Sequence, residues 1–253
     1  MLQAQPTQLL LLPPDIEEEE KTEFTFAELS DEAKERARDN WRVDEPCHEW
    51  WDSTYDDVGT IAPILGIDLD DKVVGKTRDG RDVTEHAIHF SGFWSQGDGA
   101  CFEGRWQPVN EPSALLDEIL YYAPVDGALH DIALVFAELS ERHGPNSDHN
   151  GRSRFTIKHT GRYCHENSVS IEMDTEGPDG CEEWNELQEL TWAAVQRGRG
   201  MEGWEDEVSQ ALRSFMCWIY GQLEAEHDHL TSDDVADESL SDGHLFDEDG
   251  DMI

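Results

Sequence analysis

Fifty-eight acidic residues stand against eighteen basic ones in this chain of 253, a formal net charge of −40 at pH 7. Self-repulsion on that scale works against every compact state. A fold must therefore spread the acids over its surface and gather its apolar side chains tightly. The means are present: hydrophobic residues make up 37% of the chain, with nine Trp and nine Phe, too many for a disordered polyelectrolyte. The length suffices to bury a sizeable core. The acids recur at residues 17–20, on expected helices, and densely over 224–251, where no Lys or Arg occurs.

A surface of this sign repels nucleic acid and anionic lipid and attracts basic protein surfaces. Three uses compete. Carboxylates can imitate DNA phosphates, spaced about 1.7 Å along the duplex axis with both strands counted. The acidity can instead be an adaptation to high salt, which would suit a chain with only five Lys. It can also be merely solubilising. The first is the leading reading, and its best-placed acids are Glu224, Glu226, Asp228, Asp233, Asp234, Asp237 and Glu238.

The five cysteines show no CxxC pair, a usage that suits a reducing cytoplasm. The apolar run at residues 9–12 has no basic residue before it and Pro13-Pro14 after it. It is too short for a signal segment or a membrane span.

The pattern along the chain predicts a flexible acidic N-terminal arm over 1–22 and a single α+β domain over 23–253. In that domain antiparallel hairpins, forming a meander sheet, pack with several helices. Ser30 should cap a first helix, and a second should start at Pro46 and stop at Gly66. Asp79-Gly80 marks a hairpin. Helices are expected over 114–122 with Ser113 as cap, over 128–143, over 182–197, and from Trp204 to about Glu226. The acidic C-terminal segment, 231–253, carries a cap, a short helical pattern and a stop at Gly243, so most of it should dock.

The stretch "FSGFWSQGDGACFEGRW", residues 90–106, packs five aromatics and four glycines into seventeen positions. Most of its rings should feed a core, the glycines allowing a reversal. A recognition version places Trp94, Gln96 and Asp98 on an exposed tip. Arg152, Arg154, Lys158 and Arg162 form a basic island in a later hairpin. They either pair with neighbouring acids or hold a phosphate-bearing small ligand.

Signatures of chemistry are absent. There is no G-x-S-x-G, so no catalytic residue is assigned. The Cys47-His48 and Cys164-His165 pairs, His227 with His229, and "DEDGD" near the end all lack metal-ligand spacing. Neither a metal nor a cofactor is expected.

"FTFAELSDEAKERARDNW", "WWDSTYDDV", "HFSGFWSQGDGACFEG", "LEAEHDHLTSDDVADES" and the late "FDEDG" resemble an uncharacterised protein family carried by bacteriophages and prophages. The similarity runs in order over nearly the whole chain. It implies a viral accessory protein in the cytoplasm of a bacterial host, and brings no established activity. Joined to the charge, it leads to the expectation of a non-enzymatic inhibitor. Such a protein binds a positively charged host protein, a defence factor or other nucleic-acid-binding protein, as a nucleic-acid mimic, without touching nucleic acid or membrane itself. The alternative is an enzyme or small-ligand sequestering protein that uses the glycine-rich hairpin and the basic island.

Overall fold

The computed structural model describes residues 22–44, 50–144, 154–174 and 203–253. The fold is α+β, with helices packed on antiparallel strands. Two compact units emerge, one within Met1–Pro46 and Leu230–Ile253, the other within Cys47–His229. The helix expected over 182–197, the start of the second helix at Pro46, and Arg152 lie outside the described residues. No described helix is long and apolar enough to cross a membrane.

In the first unit, helix α1 (Asp31–Asp44) starts where Ser30 Oγ accepts from the Ala33 N–H at 3.1 Å, satisfying a backbone donor the helix itself cannot. Ala33 and Ala37, four residues apart, are buried on one face. A short strand β1 (Phe24–Thr25) pairs with another near the chain end, Leu245–Phe246. Phe26, Leu29, Leu240 and Phe246 close the small core.

The C-terminal acids are put to structural use here. Ser232 caps a helix over Asp233–Ser241 by accepting from the Val235 N–H. Arg38 of α1 donates to both carboxylate oxygens of that helix's Asp237, at 2.6 and 2.8 Å. Arg42 pairs with Asp233 and donates through Nε to the Thr231 carbonyl at 3.0 Å. Arg36 and Asn40 both reach Asp251 at 2.9 Å. The segment docks because each of these arginines cancels charge that would otherwise push it away.

The Arg38 guanidinium, chiefly through its hydrogen bonds, holds the Asp237 carboxyl below its ordinary value of 3.8. A carboxylate depressed in the folded state contributes stability that is fully present above that ordinary value. The contribution is lost as pH falls through the lower folded one. The pair is partly exposed, so solvent screening holds it to about 1 kcal/mol or less. Asp237→Asn should speed amide exchange across α1 at neutral pH, by a margin that shrinks as pH falls below 3.8. A gap between variant and wild type that stays constant as pH falls would contradict the pairing.

The second unit contains helix α2 (Asp52–Ile64), strands β2 (Ile67–Leu69), β3 (Asp71–Lys76), β4 (Asp82–His86), β5 (Ile88–Phe90), β6 (Ala100–Phe102) and β7 (Gly104–Trp106), helices α3 (Pro112–Tyr122) and α4 (Gly127–His143), strands β8 (Arg154–His159) and β9 (Val169–Asp174), and helix α5 (Trp204–Leu230). The four-stranded sheet runs β2-β7-β8-β9, while β3-β4 and β5-β6 are separate antiparallel pairs. The chain therefore leaves one pairing for another at each short link, and a single continuous meander does not form.

Trp106 lies fully buried at the centre. It sits opposite Ile67 on one side and Phe155 on the other, and its indole N–H donates to the Leu65 carbonyl at 2.9 Å. Phe102, Phe136, Phe215 and Ile219 complete the same core.

Two helix starts differ from expectation. α3 begins at Pro112, whose missing N–H costs nothing in a first turn, leaving Ser113 inside the helix. α4 is capped by Asp126, which accepts from the Leu129 N–H at 2.9 Å.

Candidate partner-binding surface

Strands β5 and β6 pair in the register Ile88↔Phe102, His89↔Cys101 and Phe90↔Ala100, so the nine residues 91–99 close the hairpin. Asp98 builds this tip. Its carboxylate accepts from the Ser95 N–H at 2.5 Å, and its own N–H donates to the Ser95 carbonyl at 3.0 Å. Gly97 has φ +95°, and a Cβ there would lie 2.2 Å from the Tyr163 ring. A Cβ on Gly99 would come within 2.6 Å of the His165 Cβ. Two of the four glycines thus answer to the close approach of the turn after β8, which no side chain would permit.

The rings divide by depth. Phe102 and Trp106 are core, Phe90 and Phe93 are half-buried, and Trp94 stands 82% exposed. Phe93 contacts Tyr220 and His227 of α5, with ring centroids 5.6 and 5.0 Å away. Trp94 meets the His227 ring edge-on at 5.6 Å. Trp50 closes the other side, 5.4 Å from His227 and 5.8 Å from Phe90. The Tyr220 hydroxyl donates to the Phe93 carbonyl at 3.4 Å.

On α5, Tyr220, Glu224, His227 and Asp228 follow at helical spacing and share one face. Glu224 and Asp228 are exposed. Burial raises the Tyr220 pKa, and the negative charges of Glu224 and Asp98 push it further in the same direction. Helix and hairpin acids thus act on one phenol. Glu226 lies to the side, accepting from the Ser53 hydroxyl at 3.5 Å.

The structure therefore joins two groups of residues that are about 130 positions apart in sequence. Trp94 of the tip packs on His227 of α5, and Asp98 and Glu224 both act on Tyr220, while Asp228 neighbours His227 and Gln96 is exposed on the same loop. Asp233, Asp234, Asp237 and Glu238 belong to the other unit. There Asp233 and Asp237 already hold arginines, and Asp234 and Glu238 are exposed. Trp50 and His227 have no forward-looking signal in the sequence. Trp50 reads as part of a buried helical stripe, yet it precedes α2 and turns toward the hairpin.

Of the basic island, Arg154 and Lys158 lie on the exposed face of β8, and Arg162 follows in the turn after it. Arg154 stands across from Asp174, and Lys158 across from Ser170. With exposed Arg162, these residues make no ion pair with a described residue within 4.0 Å. Asp174 instead accepts from the Thr156 hydroxyl at 2.6 Å.

A family model described as a domain of unknown function (DUF8835) matches residues 50–233. No curated protein and no solved structure matches the chain. The matched span runs from Trp50 past Asp228, and so contains every member of the aromatic and acidic surface.

Proposed function

Taking as premise that the chain belongs to the DUF8835 family, a domain of unknown function, we propose that it is a non-enzymatic binding protein for a basic protein surface. The observation that carries this reading is the convergence of the exposed Trp94 with Asp98, Glu224 and Asp228 around Tyr220 and His227. An exposed indole beside carboxylates suits a guanidinium or ammonium group. The ring face attracts the cation, worth roughly 0.5–2 kcal/mol depending on desolvation, and the acids supply charge-assisted hydrogen bonds. A net charge of −40 steers such a partner in from a distance.

The biological setting proposed with it is a phage-encoded inhibitor in the host cytoplasm. It captures a defence or other nucleic-acid-binding protein and occupies the groove that DNA or RNA would fill. The resemblance to phage and prophage proteins supports that setting, and the sign of the charge supports the class of partner.

The test is capture of a basic protein from bacterial lysate, followed by measured association of the purified pair. Glu224→Gln with Asp228→Asn should slow association about tenfold at low salt. The gap should close as the Debye length falls from about 8 Å at physiological ionic strength toward about 3 Å at 1 M. Duplex DNA should compete for the captured protein. Association indifferent to both salt and these two carboxylates would refute the proposal. Unfolding of the wild type below molar salt would favour salt adaptation instead.

A further inference from the structure

Beside the hairpin lies a second constellation, independent of the partner-binding reading. His89 from β5, Glu103 from the link between β6 and β7, and His159 at the end of β8 are all half-buried. One potential ligand atom from each lies within 4.8 Å of the others. The two imidazoles stack with centroids 4.6 Å apart at 24°, and His89 Nε2 is 3.0 Å from the Glu103 carboxylate. Backbone bonds fix Glu103 in place, its N–H donating to the Ala87 carbonyl at 2.9 Å and its carbonyl accepting from the Asp70 N–H at 2.9 Å.

We propose that His89, Glu103 and His159 form a binding site for a late first-row divalent ion of the zinc class. The donor set decides the class. Two imidazoles and one carboxylate suit Zn²⁺, Co²⁺ or Ni²⁺, whereas Ca²⁺ and Mg²⁺ demand oxygen ligands. His159 is already set for the task. Its Nε2–H donates to the Tyr163 carbonyl at 2.8 Å, which leaves the Nδ1 lone pair free to coordinate, as outer-shell carbonyls do for metal-bound histidines. At His89, Nε2 carries the proton shared with Glu103 while the site is empty. When the metal binds, that proton moves to Nδ1 and the ion takes its place between Nε2 and the carboxylate, so the imidazole stays neutral. Three protein ligands leave a fourth tetrahedral position for water.

The ion would join strands that hydrogen bonding leaves in separate sheets, since β5 pairs with β6 while β8 pairs with β7 and β9. Lys72 donates to the Ile88 carbonyl at 2.6 Å beside His89. Its ammonium is the positive charge the ion must tolerate.

The experiment is equilibrium dialysis of the full chain against Zn²⁺ in a large excess of Mg²⁺, which saturates the exposed carboxylates. The expected result is one Zn²⁺ per chain, with affinity reduced at least about tenfold in His89→Gln, Glu103→Gln and His159→Gln. Co²⁺ bound to the wild type should give a visible ligand-field spectrum without a thiolate charge-transfer band. That readout needs no variant to fold. Wild type that retains no Zn²⁺ against Mg²⁺, retention equal in all three folded variants, or a thiolate band that puts the metal on Cys101 or Cys164 would each overturn the site.

Discussion

Trp106→Ala should cost about 3–5 kcal/mol of stability, the range for truncating a large buried aromatic. That is a large share of the roughly 5–15 kcal/mol that holds a typical domain together. The indole is 0% exposed and stands 5.9 Å from the Phe136 ring and 5.8 Å from the Phe155 ring. Removing it opens a cavity between β7, α4 and β8, and also leaves the Leu65 carbonyl without its 2.9 Å donor at the end of α2. Urea unfolding followed by far-UV circular dichroism measures the loss. A cost below about 1 kcal/mol would mean that the sheet and helices do not share this core.

Much of that core is legible in residue order. Ile88 and Phe90 alternate with His89, and Phe155 and Ile157 alternate with outward Arg154 and Lys158, because a strand with one buried face imposes a period of two. The caps at Ser30 and Ser232 are legible for a similar reason, since a helix start needs a local acceptor. The cap of α3 is not legible: Ser113 has the right chemistry, but Pro112 already fits the first turn and the helix starts earlier. Pairings between neighbouring strands are legible as hairpins, as at β5–β6 and β8–β9, but the distant pairing escapes sequence reading. Asp79-Gly80 announces the β3–β4 hairpin, yet nothing near Ile67 says that its partner is Trp106, which depends on a contact across forty residues.

The candidate surface was half legible. Trp94, Gln96 and Asp98 stand out as a tip because glycines surround them, and the α5 acids stand out by density. That the two groups share a surface follows only from the packing of Phe93 on Tyr220 and His227. Asp233 and Asp237 look equally available in sequence. Their arginine partners lie nearly two hundred residues away, beyond any local pattern. The His89–Glu103–His159 set has no motif spacing at all and is assembled by two strands and the link between two others.

Trp94→Ala carries the second large effect, on binding rather than stability. The side chain is 82% exposed, so its loss should leave the unfolding midpoint nearly unchanged. An exposed Trp on a surface that also carries Asp98, Glu224 and Asp228 is the residue type of an interface hot spot, where truncation costs about 2 kcal/mol or more, roughly a thirtyfold loss of affinity. The companion variant is Asp234→Asn with Glu238→Gln, which removes two exposed C-terminal charges and spares the pairs of Arg38 and Arg42. Calorimetric titration of a short arginine-rich peptide into wild type and both variants, at physiological salt, compares a specific surface with diffuse charge. Trp94→Ala is expected to lose about thirtyfold in affinity, while the double charge variant stays within about threefold of wild type. Full affinity in Trp94→Ala together with a large loss in the charge variant would contradict a binding surface centred on the hairpin tip.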